Sequence, residues 1–272
     1  MKDQKTESLS WINNRLKNFG FYPEFKYIRK YKNELKMYLG NSNAIRFLKK
    51  IDSLFQEHSI LDEINTEEKI CDLIGADEKL LKMVYSTGIH ISVVILNRIM
   101  DLIEDLSLNP EHIVDFGGAN GWSLQIIKEF LEDEVKLSLI EQNKTWGVVE
   151  DSIILSAETY SLATLTEKAD FGISIFGSTN NDYDQFSECV YRNLTNDGIF
   201  ILTLRIPDDE TFMEFMNIMN ENGFYLDTKN SEYFCFNTGY NFECFPLLVF
   251  RRNQTAEIKI ESLKQLKRNE LK

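Results

Sequence analysis

Histidine, cysteine and proline are scarce in this chain of 272 residues, at three, four and four. Cys71, Cys189, Cys235 and Cys244 stand at spacings that match no zinc pattern, and three histidines do not complete one. They read as reduced thiols of a cytoplasmic protein. Basic charge is also short: 30 Lys and Arg against 43 Asp and Glu leave a net charge of −13. A field of that sign repels phosphate backbones and anionic lipid surfaces, which argues against nucleic acid or a membrane as the main partner. No stretch approaches the roughly 20 apolar residues of a membrane span. The opening MKDQKTESLSWINN lacks the apolar core of a signal peptide.

Proline and glycine are sparsest early in the chain. Between Tyr22 and Asn109 only Pro23, Gly40, Gly75 and Gly88 interrupt a text rich in Lys, Glu and Leu. Residues 1–108 are therefore expected to be a helical region serving as a lid, substrate wall or homodimer contact. One helix should follow Asn41 and Ser42, where Ala44, Phe47, Leu48, Ile51 and Leu54 recur at helical steps. Another should run from about Ile89 to Leu106.

After Pro110 the pattern changes to short apolar runs alternating with helical stretches. HIVDF, VKLSLIE, DSIIL, DFGISIF and GIFILTLR read as strands; SLQIIKEFLED, QFSECVYRNL and ETFMEFMNIMNENG read as helices. Alternation of this kind predicts an α/β fold with a doubly wound, mostly parallel sheet over residues 109–252. Two segments between Phe224 and Arg252 suit a closing strand pair, and residues 253–272 form a charged tail, helical at best.

Where glycine does concentrate, it does so in IVDFGGANGW, Ile113 to Trp122. An apolar strand there runs into a turn and then a helix, so Gly117, Gly118 and Gly121 are expected where backbone approaches a ligand closely. Asp115 ends the strand, either as an acceptor for an ammonium group or as a brace for the loop. Glu141, with Gln142 beside it, ends the next strand, where a carboxylate can take both hydroxyls of a ribose. The turn does not match the dinucleotide spacing G-x-G-x-x-G, which disfavours a nicotinamide cofactor.

Asp115, Gly117, Ala119 and Gly121 together resemble the first motif of the class I S-adenosylmethionine-dependent methyltransferases, with Ala119 in place of the middle glycine. The resemblance extends over about Ser86 to Arg252. It implies a seven-stranded Rossmann-like sheet, S-adenosylmethionine as cofactor, and methyl transfer, in the 2.1.1 class of enzymes, to a small-molecule acceptor such as a hydroxyl of a sugar or secondary metabolite. Asp115, Gly117, Gly118, Ala119, Gly121, Glu141, Gln142 and Phe176 are the implied cofactor contacts, with Ser156, Ala157 or Glu158 nearest the adenine. The resemblance also puts residues after the fourth strand, including Ser178, beside the substrate. A methyltransferase-like binding or scaffold module without turnover, and a protein methyltransferase, are the competing readings.

A hydroxyl acceptor needs a base. Asp182 is a candidate, with helix capping as its alternative; His90 is a second, with a solvated position as its alternative. Arg205 could pair with an anionic substrate group. Asn180, Asn181, Asp182 and Asp184 raise the question of a divalent metal, which nothing else in the sequence supports, so no metal is expected. The aromatic residues Tyr225, Tyr233, Phe234, Phe236, Tyr240, Phe242 and Phe245 either wall a pocket or pack a terminal strand pair.

Overall fold

The computed structural model describes residues 2–21, 32–57, 69, 72–75, 77–131, 134–142, 148–177, 182–204, 208–237, 242–252 and 266–270. The chain divides into two compact units, Met1–Asn97 and Arg98–Lys272. The division falls inside a helix, upstream of the break at Pro110 that composition suggests.

The first unit holds α1 (Lys2–Asn18), α2 (Lys32–Leu39), α3 (Asn41–Glu57) and most of α4 (Glu78–Asp105). Gly40, at φ 79°, separates α2 from α3, a left-handed position that glycine occupies without steric cost. The stripe expected on α3 is buried at Ala44, Phe47, Leu48 and Ile51. α4 starts earlier than its apolar periodicity suggests. Asp77 caps it, with Oδ1 accepting from the Leu80 amide at 3.0 Å.

Among the described residues the second unit holds a nine-stranded sheet: β1 (His112–Phe116), β2 (Lys136–Ile140), β3 (Ile153–Ser156), β4 (Ala169–Ile175), β5 (Leu194–Thr203), β6 (Phe224–Leu226), β7 (Glu232–Asn237), β8 (Phe242–Arg252) and β9 (Lys267–Glu270). Helices α5 (Trp122–Leu131), α6 (Tyr183–Asn193) and α7 (Asp209–Glu221) intervene. The order is β3-β2-β1-β4-β5-β8-β7-β9, parallel through β5, with β8 antiparallel to β5.

The count differs from the expected seven for two physical reasons. β6 and β7 both pair with β8, at Phe250–Arg252 and at Phe242–Leu247, so they are one ladder position interrupted by a turn. That turn is held by the Asp227 carboxylate, which accepts from Asn230 and Arg251. Secondly, Lys267–Glu270 lies parallel to β7 as a strand, where a helix at best was expected.

Core packing is aromatic. Phe116, Phe171, Phe186, Phe200, Phe212, Phe215, Phe224 and Phe250 are all fully buried. Phe116 meets Phe186 and Phe200 edge-on at 6.2 and 5.6 Å, and Phe215 meets Phe250 at 6.2 Å. Such pairs add about 0.5–1.5 kcal/mol each beyond burial, and those of Phe116 tie β1 to α6 and β5. Strand order reverses between β1 and β4, the switch point at whose carboxyl edge open α/β sheets bind ligands.

Candidate cofactor site

The turn after β1 is built by the sheet beneath it. The Gly117 amide extends the ladder by donating to the Ile140 carbonyl at 2.8 Å. Gly117, Ala119 and Gly121 then take φ of 74°, 53° and 78°, and the Gln125 amide bonds back to the Gly121 carbonyl to start α5. Glu141, just past β2, reaches across: its Oε2 accepts from the Ala119 amide at 3.0 Å. The Glu141 amide in turn donates to the Ser156 carbonyl at 3.1 Å, tying the ends of β2 and β3 together. Gln142 is exposed.

The sheet and the following loops already crowd the three glycines. A Cβ on Gly117 would lie 2.5 Å from the Gly177 Cα and 2.7 Å from the Tyr160 hydroxyl. On Gly118 it would strike the Asp115 carboxylate, and on Gly121 it would come within 2.8 Å of Ile153. Each glycine thus makes room for the protein's own atoms. Ala119, in the left-handed region, carries a backbone cost of about 1–2 kcal/mol, which the bond its amide donates to Glu141 offsets.

Asp115 is 1% exposed and accepts from the Ser123 hydroxyl in the first turn of α5. That bond makes it a brace between strand and helix. Its Oδ1, and the Oδ1 of Asn120, are buried without a hydrogen-bond partner. Burial, with the charge of Glu141 adding to it and the Ser123 bond opposing it, pushes the Asp115 carboxyl up to about 7. Two orphaned acceptor oxygens are thus buried, one near the end of β1 and one in the turn that follows, where a cationic donor would be favoured.

Across the switch point, Phe176 follows β4 at φ 61°, with its amide donating to the Thr203 carbonyl at 3.0 Å. A bulky residue in that region is strained. The Phe176 ring packs edge-on against Phe245 at 5.0 Å. Gly177 lies so near the Phe116 carbonyl that no Cβ fits. Tyr160 donates to the Gly177 carbonyl at 2.7 Å, and Ser174 to the Phe116 carbonyl at 2.8 Å. Tyr160, Ser123 and Ser174 carry no motif, and only folding brings them to this edge.

Asp182 is exposed and is the N-cap of α6, its carboxylate accepting from the Gln185 amide at 3.1 Å. The capping alternative is the one seen. Ser178, Asn180, Asn181 and Arg205 lie outside the described residues, as does the side chain of His90, whose backbone is in α4. Among the described residues no three His, Cys, Asp or Glu side chains converge as metal ligands, and no helix is long and apolar enough to cross a membrane.

No family model matches the chain, and no curated protein matches it in sequence. Solved structures do match. The StiE O-MT structure superimposes with a TM-score of 0.50 at 15% identity, covering 66% of this chain and 82% of that one. The fold is that of a class I S-adenosylmethionine-dependent methyltransferase. Two further methyltransferases, each bound to S-adenosylhomocysteine, are more distant. The 1,6-didemethyltoxoflavin-N1-methyltransferase of Burkholderia thailandensis gives a TM-score of 0.44 at 11% identity over 59% of this chain and 79% of its own. The O-methyltransferase of a Brevibacillus brevis trans-AT PKS gives 0.45 at 11% over 58% and 71%. In the terms of the methyltransferase fold, the glycine turn and Glu141 lie at the carboxyl ends of β1 and β2.

Proposed function

We propose that the chain is an S-adenosylmethionine-dependent methyltransferase acting on a small-molecule acceptor, with a hydroxyl of a sugar or secondary metabolite as the preferred class. One observation carries the reading: Asp115 near the end of β1, and Asn120 in the turn that Glu141 clasps through the Ala119 amide, bury unpartnered acceptor oxygens. The cofactor's ammonium group is a donor suited to such oxygens, and its ribose hydroxyls suit Glu141. When bound, the cofactor supplies a methyl group made electrophilic by a sulfonium.

The residues present fit that group. The backbone of Gly117 to Gly121 would flank its amino-acid end. Phe176, with Phe245 behind it, gives an apolar wall at the end of β4, where water is best excluded from a displacement at carbon. The protein's main contribution is then alignment of acceptor and methyl group. Asp182 is engaged at α6, so His90 is the remaining candidate base and Ser178 and Arg205 the candidate acceptor contacts. The net charge of −13 supports neither nucleic acid nor an anionic membrane as partner, and the scarce, scattered cysteines suit a cytoplasmic protein.

A binding module without turnover is the second reading, favoured by the engagement of Asp182 as a cap. Transfer of a radiolabelled methyl group from S-adenosylmethionine into a small-molecule extract, with a protein lysate in parallel, separates the possibilities. Label in small molecules supports the proposal; label only in protein redirects it to a protein methyltransferase. Cofactor binding with label in neither supports the binding module.

A further inference from the structure

The β7–β8 hairpin brings together two cysteines that sequence spacing leaves unrelated. Cys235 and Cys244 are register partners, directly opposed across the antiparallel ladder. Opposed residues of such a ladder have Cα atoms about 4.5 or 5.5 Å apart, according to the hydrogen-bonding of the pair. A disulfide needs Cα atoms about 4.4–6.8 Å and Cβ atoms about 3.5–4.5 Å apart, which the closer side chains of a non-hydrogen-bonded pair approach. Pro246, with no N–H to exchange, faces Tyr233, so that pair and Cys235–Cys244 two residues along are of this kind. The hairpin also overhangs the carboxyl edge of the sheet, since β8 last pairs with β5 at Leu247 and Thr203 while Phe242 to Pro246 continue beyond. Phe245, next to Cys244, is the ring that packs on Phe176.

We propose that Cys235 and Cys244 form a reversible cross-strand disulfide that locks this hairpin beside the carboxyl edge. With a low-molecular-weight disulfide as oxidant, one cysteine thiolate attacks a reagent sulfur and releases the first reagent thiolate. The second cysteine thiolate then attacks the protein sulfur of that mixed disulfide and releases the other. The two electrons end on the reagent, and the two protons given up by the cysteines pass to the released thiolates. Cys189 does not compete, being buried and bonded to Asn193, with burial pushing its thiol up to about 11.

The test is incubation of the full chain in glutathione disulfide and glutathione buffers, followed by acid quench, alkylation and peptide mass mapping. The expected result is a linked peptide pair joining Cys235 to Cys244, absent after reduction and in Cys235→Ser or Cys244→Ser, and retained in Cys189→Ser. Hydrogen exchange across residues 232–247 should also be slower in the oxidised chain. Separate alkylation of both cysteines in the wild-type chain, or glutathione carried on each, would overturn the proposal.

Discussion

Replacing Asp115 with asparagine isolates the energetics of the buried carboxylate. Folding carries this group from its ordinary 3.8 to about 7. At about 1.4 kcal/mol per tenfold change in proton affinity, ionised Asp115 costs the fold roughly 4 kcal/mol. The sign follows from the raised value. Below about pH 4 the group is protonated in both states and costs nothing. Between about pH 4 and pH 7 the unfolded chain ionises first, so stability falls as pH rises; above pH 7 the full cost is present. Asparagine removes the charge but brings an amide donor to a position where Oδ1 of the aspartate has no partner. That donor costs about 1–3 kcal/mol. The expected net effect of Asp115→Asn is therefore a gain of about 1–3 kcal/mol at pH 8 and a loss of similar size near pH 4. Urea unfolding across this range is the assay. Trp11 and Trp146 are replaced by phenylalanine, so that Trp122, buried beside Ser123, reports the sheet unit alone. A difference between variant and wild type that does not change with pH would refute the buried-charge argument.

Tyr160→Phe removes the bond to the Gly177 carbonyl; it should cost about 1 kcal/mol in thermal or urea unfolding and weaken S-adenosylhomocysteine binding while the fold is retained. Ala119→Gly relieves the left-handed position at some entropic cost to the fold, for a net gain of about 0.5 kcal/mol in urea unfolding. Asp182→Ala should lose about 1 kcal/mol of stability as a cap and leave methyl transfer unchanged; a large drop in kcat at full folding would restore it as the base.

Much of this was legible in the residues because it is local. HIVDF is strand β1 as read, the stripe on α3 is buried where periodicity puts it, and the alternation after Pro110 unfolds into the expected βα order. Glu141 was placed by its position at a strand end. What the residues did not disclose depends on atoms distant in sequence. The atoms that crowd Gly117 belong to Gly177 and Tyr160, and those that crowd Gly121 to Ile153. The short strand Lys267–Glu270 lacks apolar alternation and is a strand because β7 offers it an edge. The opposition of Cys235 and Cys244 depends on register, which spacing alone does not encode.

Isothermal titration of the full chain with S-adenosylhomocysteine tests the central claim most directly, with Glu141→Gln as the paired variant. One saturable site with a dissociation constant in the micromolar range, weakened about tenfold or more by the variant, is the expected result, since about 1.5–3 kcal/mol is typical for a hydrogen bond to a charged group. No heat and no protection from thermal unfolding by S-adenosylhomocysteine or S-adenosylmethionine at millimolar concentration would contradict it.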